Sequence, residues 1–295
     1  MLTQFRQSPS LNRQRVAACV RHVATVASLL LLSGGAARAQ APAAPSPDLA
    51  GIAHVAFRTA DLQASLAFYQ QLGFVRAFEF TKDGKPTEEF IKINDRQFLE
   101  LYPQSGADSP VGLMHVCYEA ADLEALHAAY VAAGLTPPVV KKAGAGNLLF
   151  SLRGPDGSVI EFTQYLPESM HSKDAGLHLG EHRISSQLVG VTVPVHVQDQ
   201  AAWTELFVQK LHFTPEGAAE SARFGVPSRP SLTITLHAAE PQAPAIVRFA
   251  VVRLATTAKE LRSEGVAFEQ QGTTLVVQDP DHNVLEFAVP MKNKH

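Results

Sequence analysis

The sequence predicts an α+β chain of four β-α-β-β-β modules, paired into two domains with curved mixed sheets. Three observations carry this. The closing segment Gly154-Pro155-Asp156-Gly157-Ser158-Val159-Ile160-Glu161-Phe162 returns as Asp279-Pro280-Asp281-His282-Asn283-Val284-Leu285-Glu286-Phe287. The helix exit Phe68-Tyr69-Gln70-Gln71-Leu72-Gly73-Phe74 is echoed by Phe207-Val208-Gln209-Lys210-Leu211-His212-Phe213. Each candidate helix follows an alternating apolar strand, and three of the four end at a glycine: Gly73, Gly134 and Gly265.

In the first module, residues 51–58 alternate as a strand, and Asp61 is placed to cap a helix whose inward stripe is Leu62, Leu66, Tyr69 and Leu72. Strands over 74–80, 89–93 and 97–102 follow, with Asn94-Asp95 as the last turn. The second module has strands at 112–118, 138–140, 148–152 and 159–164. Its helix opens at Asp122 and carries Leu123, Leu126 and Tyr130. The polar stretch 167–184 reads as a linker, with His171, His178 and His182 solvated on it. The third module has strands at 188–195 and 231–236, with Trp203 and Phe207 on the core stripe of its helix. The fourth has a strand at 246–252, a helix at 257–264 and a strand ending at Phe287.

Composition agrees with a globular chain. The 295 residues are 46% apolar and 18% charged, too apolar for disorder and long enough for about two domains. Residues 1–22 carry Arg6, Arg13, Arg15 and Arg21, then an apolar run covers 23–32 and Ala37-Arg38-Ala39 follows. That run is shorter than the roughly 20 residues that span a bilayer, so 1–39 reads as a secretory signal cleaved after Ala39. The expected location is periplasmic or secreted, with no stable membrane insertion after cleavage. Without those residues, 20 basic residues face 28 acidic ones, which argues against a nucleic-acid partner. Cleavage removes Cys19 and leaves Cys117 alone, so no intrachain disulfide is expected. The expected organisation is a signal at 1–39, a linker at 40–50, a metal-binding domain at 51–166, a linker at 167–184 and a degenerate domain at 185–290.

The chemistry sits in the first domain. His54 on the opening strand and Glu100 on the closing strand are 46 residues apart, and so are His115 and Glu161 in the next module. Side chains two apart in a strand share a face. If the modules fold alike, a two-fold pairing brings the four side chains to one point. A glutamate buried unpaired on an apolar strand costs several kcal/mol, so two glutamates facing two histidines point to a divalent cation. Imidazole and carboxylate without thiolate suit zinc, nickel, cobalt, iron or manganese. Four protein ligands would leave room for substrate on the ion. In the second domain, strand alignment places Gly190, Thr235, Phe249 and Glu286 at the positions of His54, Glu100, His115 and Glu161, and no metal is expected there.

The fourfold module, the helix exit, the two closures and the His/Glu/His/Glu set resemble the vicinal oxygen chelate superfamily, which includes glyoxalase I, bleomycin-resistance proteins and extradiol dioxygenases. The resemblance covers nearly all of 51–290. The ligand set looks most like bacterial glyoxalase I, which implies His54, Glu100, His115 and Glu161 around nickel, cobalt or zinc. It also implies Glu161 as catalytic base with Glu100 assisting. Arg58 suits a substrate carboxylate and matches an arginine that holds glutathione in glyoxalase I, and Gln104 loosely matches a second substrate-binding position. Lys141 and Lys142 lie where the family has lysines near the substrate.

The reaction implied is an isomerisation or lyase step on a small α-oxo or α-hydroxy carbonyl compound, with the ion as Lewis acid for an enediolate. An extradiol dioxygenase using iron, with Glu100 off the metal, and a non-catalytic binding or resistance protein are the competing readings. The expected partner is a small molecule, and the expected state a monomer or homodimer.

Overall fold

The computed structural model describes residues 48–290 apart from 107, 218–221 and 240–242. The predicted signal, Cys19 and most of the first predicted linker lie outside the described residues. The described residues belong to one compact unit.

Two eight-stranded mixed sheets share one topology. The first contains β1 (Leu49–Thr59), β2 (Val75–Lys82), β3 (Lys85–Asn94), β4 (Gln97–Pro103), β5 (Gly112–Ala120), β6 (Lys141–Lys142), β7 (Leu148–Arg153) and β8 (Val159–Gln164). Its order is β2-β3-β4-β1-β5-β8-β7-β6. The second contains β9 (Leu188–Val195), β10 (Thr214–Glu216), β11 (Arg223–Val226), β12 (Arg229–Ala238), β13 (Ile246–Ala250), β14 (Glu269–Gln271), β15 (Thr274–Gln278) and β16 (Val284–Ala288). Its order, β10-β11-β12-β9-β13-β16-β15-β14, is the same pattern moved along the chain. In each sheet the two opening strands pair antiparallel at the centre, and each pairs in parallel with its module's closing strand. This central four-strand arrangement gathers the predicted site positions into adjacent rows.

The helices form where caps and apolar stripes placed them. Asp61 caps α1 (Leu62–Gln71) through the amides of Gln63 and Ala64, and Asp122 caps α2 (Leu123–Ala132) through Ala125. Leu66, Tyr69, Leu123, Leu126 and Tyr130 are buried against the outer face of the first sheet. In the second half, α4 (Gln200–Glu205) widens into a π-turn over Leu206–Lys210, while α5 (Leu254–Ser263) is a regular helix. Trp203 and Phe207 stack with ring centroids 5.8 Å apart in that core.

Four expectations need correction. First, β1 begins at Leu49, so the predicted linker 40–50 ends inside a strand. Second, the strand expected at 138–140 forms at Lys141–Lys142, the only stretch there that pairs with β7. Third, 167–184 is not a solvated linker. It folds as a strap across the first sheet, with α3 (Met170–Lys173) capped by Ser169. His171 is buried against Phe78, Phe90, Phe98 and Tyr165, and His178 pairs with Asp174. His178 and His182 are exposed, as expected. The residue that draws the strap down is Lys92, fully buried, whose ammonium donates to Asp174 Oδ2 at 2.8 Å and to the carbonyls of Asp174 and Leu177. Fourth, the register matches Ile246, not Phe249, to His115. Ile246 pairs with Thr192 as His115 pairs with Ala56, and Phe249 lies in the core.

Candidate metal centre

His54 and Glu100 come from neighbouring strands β1 and β4, and His115 and Glu161 from β5 and β8. Register sets Phe98, His54, Cys117 and Glu161 in one row and Glu100, Ala56, His115 and Val159 in the next. The four predicted side chains therefore meet across the middle of the concave face. His54 Nε2 is 3.1 Å from His115 Nε2. Glu161 Oε2 lies 3.2 Å from His115 Nε2 and 3.6 Å from His54 Nε2. Glu100 is offset: Oε1 is 3.1 Å from His54 Nδ1 and Oε2 is 3.8 Å from His115 Nε2. The tightest group is thus His54, His115 and Glu161.

The electrostatics test whether a cation fits. Burial pushes His54 down to about 3 and His115 down to about 4, the latter against the pull of Glu161. Both rings are neutral at pH 7, the state in which imidazole nitrogen ligates. Burial, reinforced by the charges of Glu88 and Glu161, holds the Glu100 carboxyl well above the usual range. Among the described residues no lysine or arginine pairs with Glu88, Glu100 or Glu161. Buried His54 Nδ1 makes no hydrogen bond, since its contact with Glu100 lacks the geometry. Ligands bound about 2.0–2.2 Å from one ion stand about 3–4 Å from one another, and the nitrogen and oxygen separations here span that range. A divalent cation fits this donor set and supplies the charge it lacks.

The flanks add residues that sequence reasoning missed. Tyr102 donates to Glu88 and is 3.1 Å from Glu100 Oε2, so a carboxylate–phenol–carboxylate chain leads from the cluster towards the rim. Burial raises Glu88 as well. The expected third strand began at 89, yet β3 starts at Lys85, and its alternation puts Glu88 on the same face as Phe90 and Lys92. Cys117 is fully buried and shares the row of His54 and Glu161.

The remaining predicted positions surround the cluster without joining it. Arg58 is half-buried and donates to the Pro110 carbonyl at 3.0 Å. Gln104 is exposed and donates to Ser109 O at 2.8 Å, so both side chains fasten the loop after β4. Lys141 and Lys142 are exposed on the edge strand, and Lys142 pairs with Glu168. In the second sheet, the carboxylate of Glu286 is met by Arg248, with Nε at 2.8 Å and Nη2 at 2.6 Å from Oε2.

Residues 51–162 match the family described as Glyoxalase/Bleomycin resistance protein/Dioxygenase superfamily. No curated protein matches the chain. Among solved structures, the Mn(II)-bound glyoxalase from Novosphingobium aromaticivorans is similar over 83% of this chain and 84% of its own, with TM-score 0.64 and 16% identity. A 2,3-dioxygenase from Pseudomonas sp. KL28 is similar over 85% and 95%, with TM-score 0.62 and 15% identity. Homoprotocatechuate 2,3-dioxygenase from Arthrobacter globiformis is similar over 84% and 82%, with TM-score 0.59 and 16% identity. These likenesses span both sheets and concern the fold.

Proposed function

From the match of residues 51–162 to the glyoxalase/bleomycin resistance/dioxygenase superfamily, we propose that the chain is a metal-dependent lyase or isomerase of a small α-oxo or α-hydroxy carbonyl compound. The observation that carries this reading is the convergence of two neutral imidazoles and two carboxylates with no lysine or arginine paired to them among the described residues. His54, His115 and Glu161 would hold the ion, with Glu100 completing the set. Nickel, cobalt or zinc is preferred, and iron or manganese also suits these donors. When bound, the ion supplies Lewis acidity towards substrate oxygen.

The chain's own residues do the rest. Glu161, with 17% of its side chain exposed, is the most open of the four and is the group placed to take a proton from the substrate carbon. Glu100 can hold a proton of its own, since burial and two neighbouring acids favour its neutral form. Tyr102 orients it from the rim side. Arg58 keeps guanidinium N–H groups beyond the one given to Pro110 and would take a substrate carboxylate. The phenylalanines against His171 limit water on the strap side. With 1–39 acting as a secretory signal, the enzyme works outside the cytoplasm, and a substrate other than a glutathione adduct is favoured.

One observation favours a second reading. The closest group is two histidines and one glutamate, and Glu100 sits partly on the Nδ1 side of His54, which is the arrangement a dioxygenase with Glu100 off the metal would need. Metal analysis of protein expressed in minimal medium, with turnover assays, separates the two. Nickel, cobalt or zinc with turnover of α-oxo aldehydes supports the first. Iron with oxygen uptake on catechols overturns it in favour of the second. Glu161→Gln is expected to keep most metal and abolish turnover, and unchanged turnover would remove Glu161 from the base role.

A further inference from the structure

The second sheet repeats the row that carries the metal cluster, with different chemistry. Where the first sheet sets Phe98, His54, Cys117 and Glu161 side by side, the second sets Thr233, Gly190, Arg248 and Glu286. Gly190 replaces the imidazole, and Thr233 and Arg248 close in over its backbone. A Cβ there would lie 2.9 Å from Thr233 Oγ1 and 3.8 Å from Arg248 Nη1, so the guanidinium lies over the glycine. Arg248 spends Nε and Nη2 on a single oxygen of Glu286. Its Nη1 has no partner among the described residues, and neither have the hydroxyls of Thr192, Thr233 and Thr235 on the same face. The side chains of Arg248 and Glu286 keep 29% and 20% of their surface exposed. The first sheet fills the corresponding side of its concave face with Phe78, Phe90, Phe98 and His171. The second offers hydroxyls and a guanidinium instead.

We propose that this concave face is a second binding site, for a small organic carboxylate, in which Arg248 is the anion hook and Glu286 the internal counter-ion that holds it when the site is empty. A guanidinium with free N–H groups beside aligned hydroxyls suits an oxyanion. An incoming carboxylate takes Nη1 and the threonine hydroxyls and competes with Glu286 for the rest. The proposal needs no metal and stands apart from the reaction proposed above.

Calorimetric titration of the full chain with acetate, which lacks the vicinal hydroxyl of the substrates proposed for the first sheet, and with acetamide as the uncharged analogue, tests it. Acetate is expected to bind saturably in the millimolar range and acetamide not to. Glu286→Gln, which releases the guanidinium, should tighten acetate binding severalfold, a gain that misfolding cannot imitate. The double variant Arg248→Met/Glu286→Gln, which leaves no unpaired charge, should weaken it at least tenfold. Equal binding of acetate and acetamide, no binding of acetate, no gain in Glu286→Gln, or binding unchanged in the Arg248 variant would each overturn the proposal.

Discussion

At the residue scale, the pattern that needs explaining is polar groups buried without partners. Both ring nitrogens of His171 are buried and unbonded, and the ring stacks on Tyr165 with centroids 4.4 Å apart. Burial pushes this histidine down to about 3. The folded state therefore keeps it neutral, while the unfolded chain protonates it below about 6.5. In that window the unfolded state binds more protons, so stability is intact above 6.5 and falls as pH drops towards 3, by up to about 1.4 kcal/mol per unit from this one group. His171→Phe keeps an aromatic ring on the cluster and cannot be protonated. Denaturant melts between pH 7 and pH 4 should show a shallower loss in this variant than in the parent, and parallel curves would show that His171 is not the group responsible.

At the element scale, the strap between the sheets is the feature that departs most from expectation. Its anchor is one ammonium, that of Lys92, with Asp174 7% exposed opposite it. Removing one partner of a buried pair costs about 3–5 kcal/mol, so Lys92→Met should lower stability by that order and open residues 167–184 to limited proteolysis. A second check lies where the strap crosses the end of α1. Gly73 has φ +75°, the left-handed conformation that ends the helix, and Gly180 passes so close that a Cβ on it would stand 1.8 Å from Gly73 O. Gly180→Ala must move backbone, and the expected cost is about 1–3 kcal/mol, read as a shift in the denaturant midpoint. Neither Gly180 nor Lys92 was legible beforehand. A polar stretch reads as solvated when its neighbours are unknown, and Lys92 alternates like any strand lysine. The strands, caps and four-way convergence were legible, because period-two alternation, Asp N-caps and the repeated 46-residue spacing are local or periodic signals. The three-residue slip between Phe249 and Ile246 was not, since bulges in the central strand pairs of both sheets shift the register without leaving a sequence mark.

At the scale of the whole molecule, each half grips the other's closing turn. Tyr69 on α1 donates to Asp279 at 3.1 Å, and Ser65 and the Ala60 amide bond Asp281 of the same turn. Reciprocally, Trp203 on α4 lies so close over the first sheet's closing turn that a Cβ at Gly154 would be 2.1 Å from its ring. Gln97 of β4 exchanges two hydrogen bonds with Leu188 of β9, and Phe74 meets Phe249 at 5.6 Å. The repeated Pro-Asp turns are therefore clasps as well as strand connectors, and the two sheets share buried polar and apolar contacts. Such contacts make one cooperative transition the expected unfolding behaviour. A ligand that binds only the folded state at a hundred times its Kd adds about 2.7 kcal/mol. Metal held by His54, His115 and Glu161 in the first sheet should thus stabilise the second sheet equally. Trp203, the single tryptophan, is carried by α4 of the second half and forms part of the clasp. Saturating zinc or manganese should raise the melting midpoint seen by Trp203 fluorescence and by far-ultraviolet circular dichroism by the same amount, and a chelator should reverse both. A shift in the dichroism alone would mean that the clasps do not couple the halves, and no shift in either would remove the cation from the first sheet.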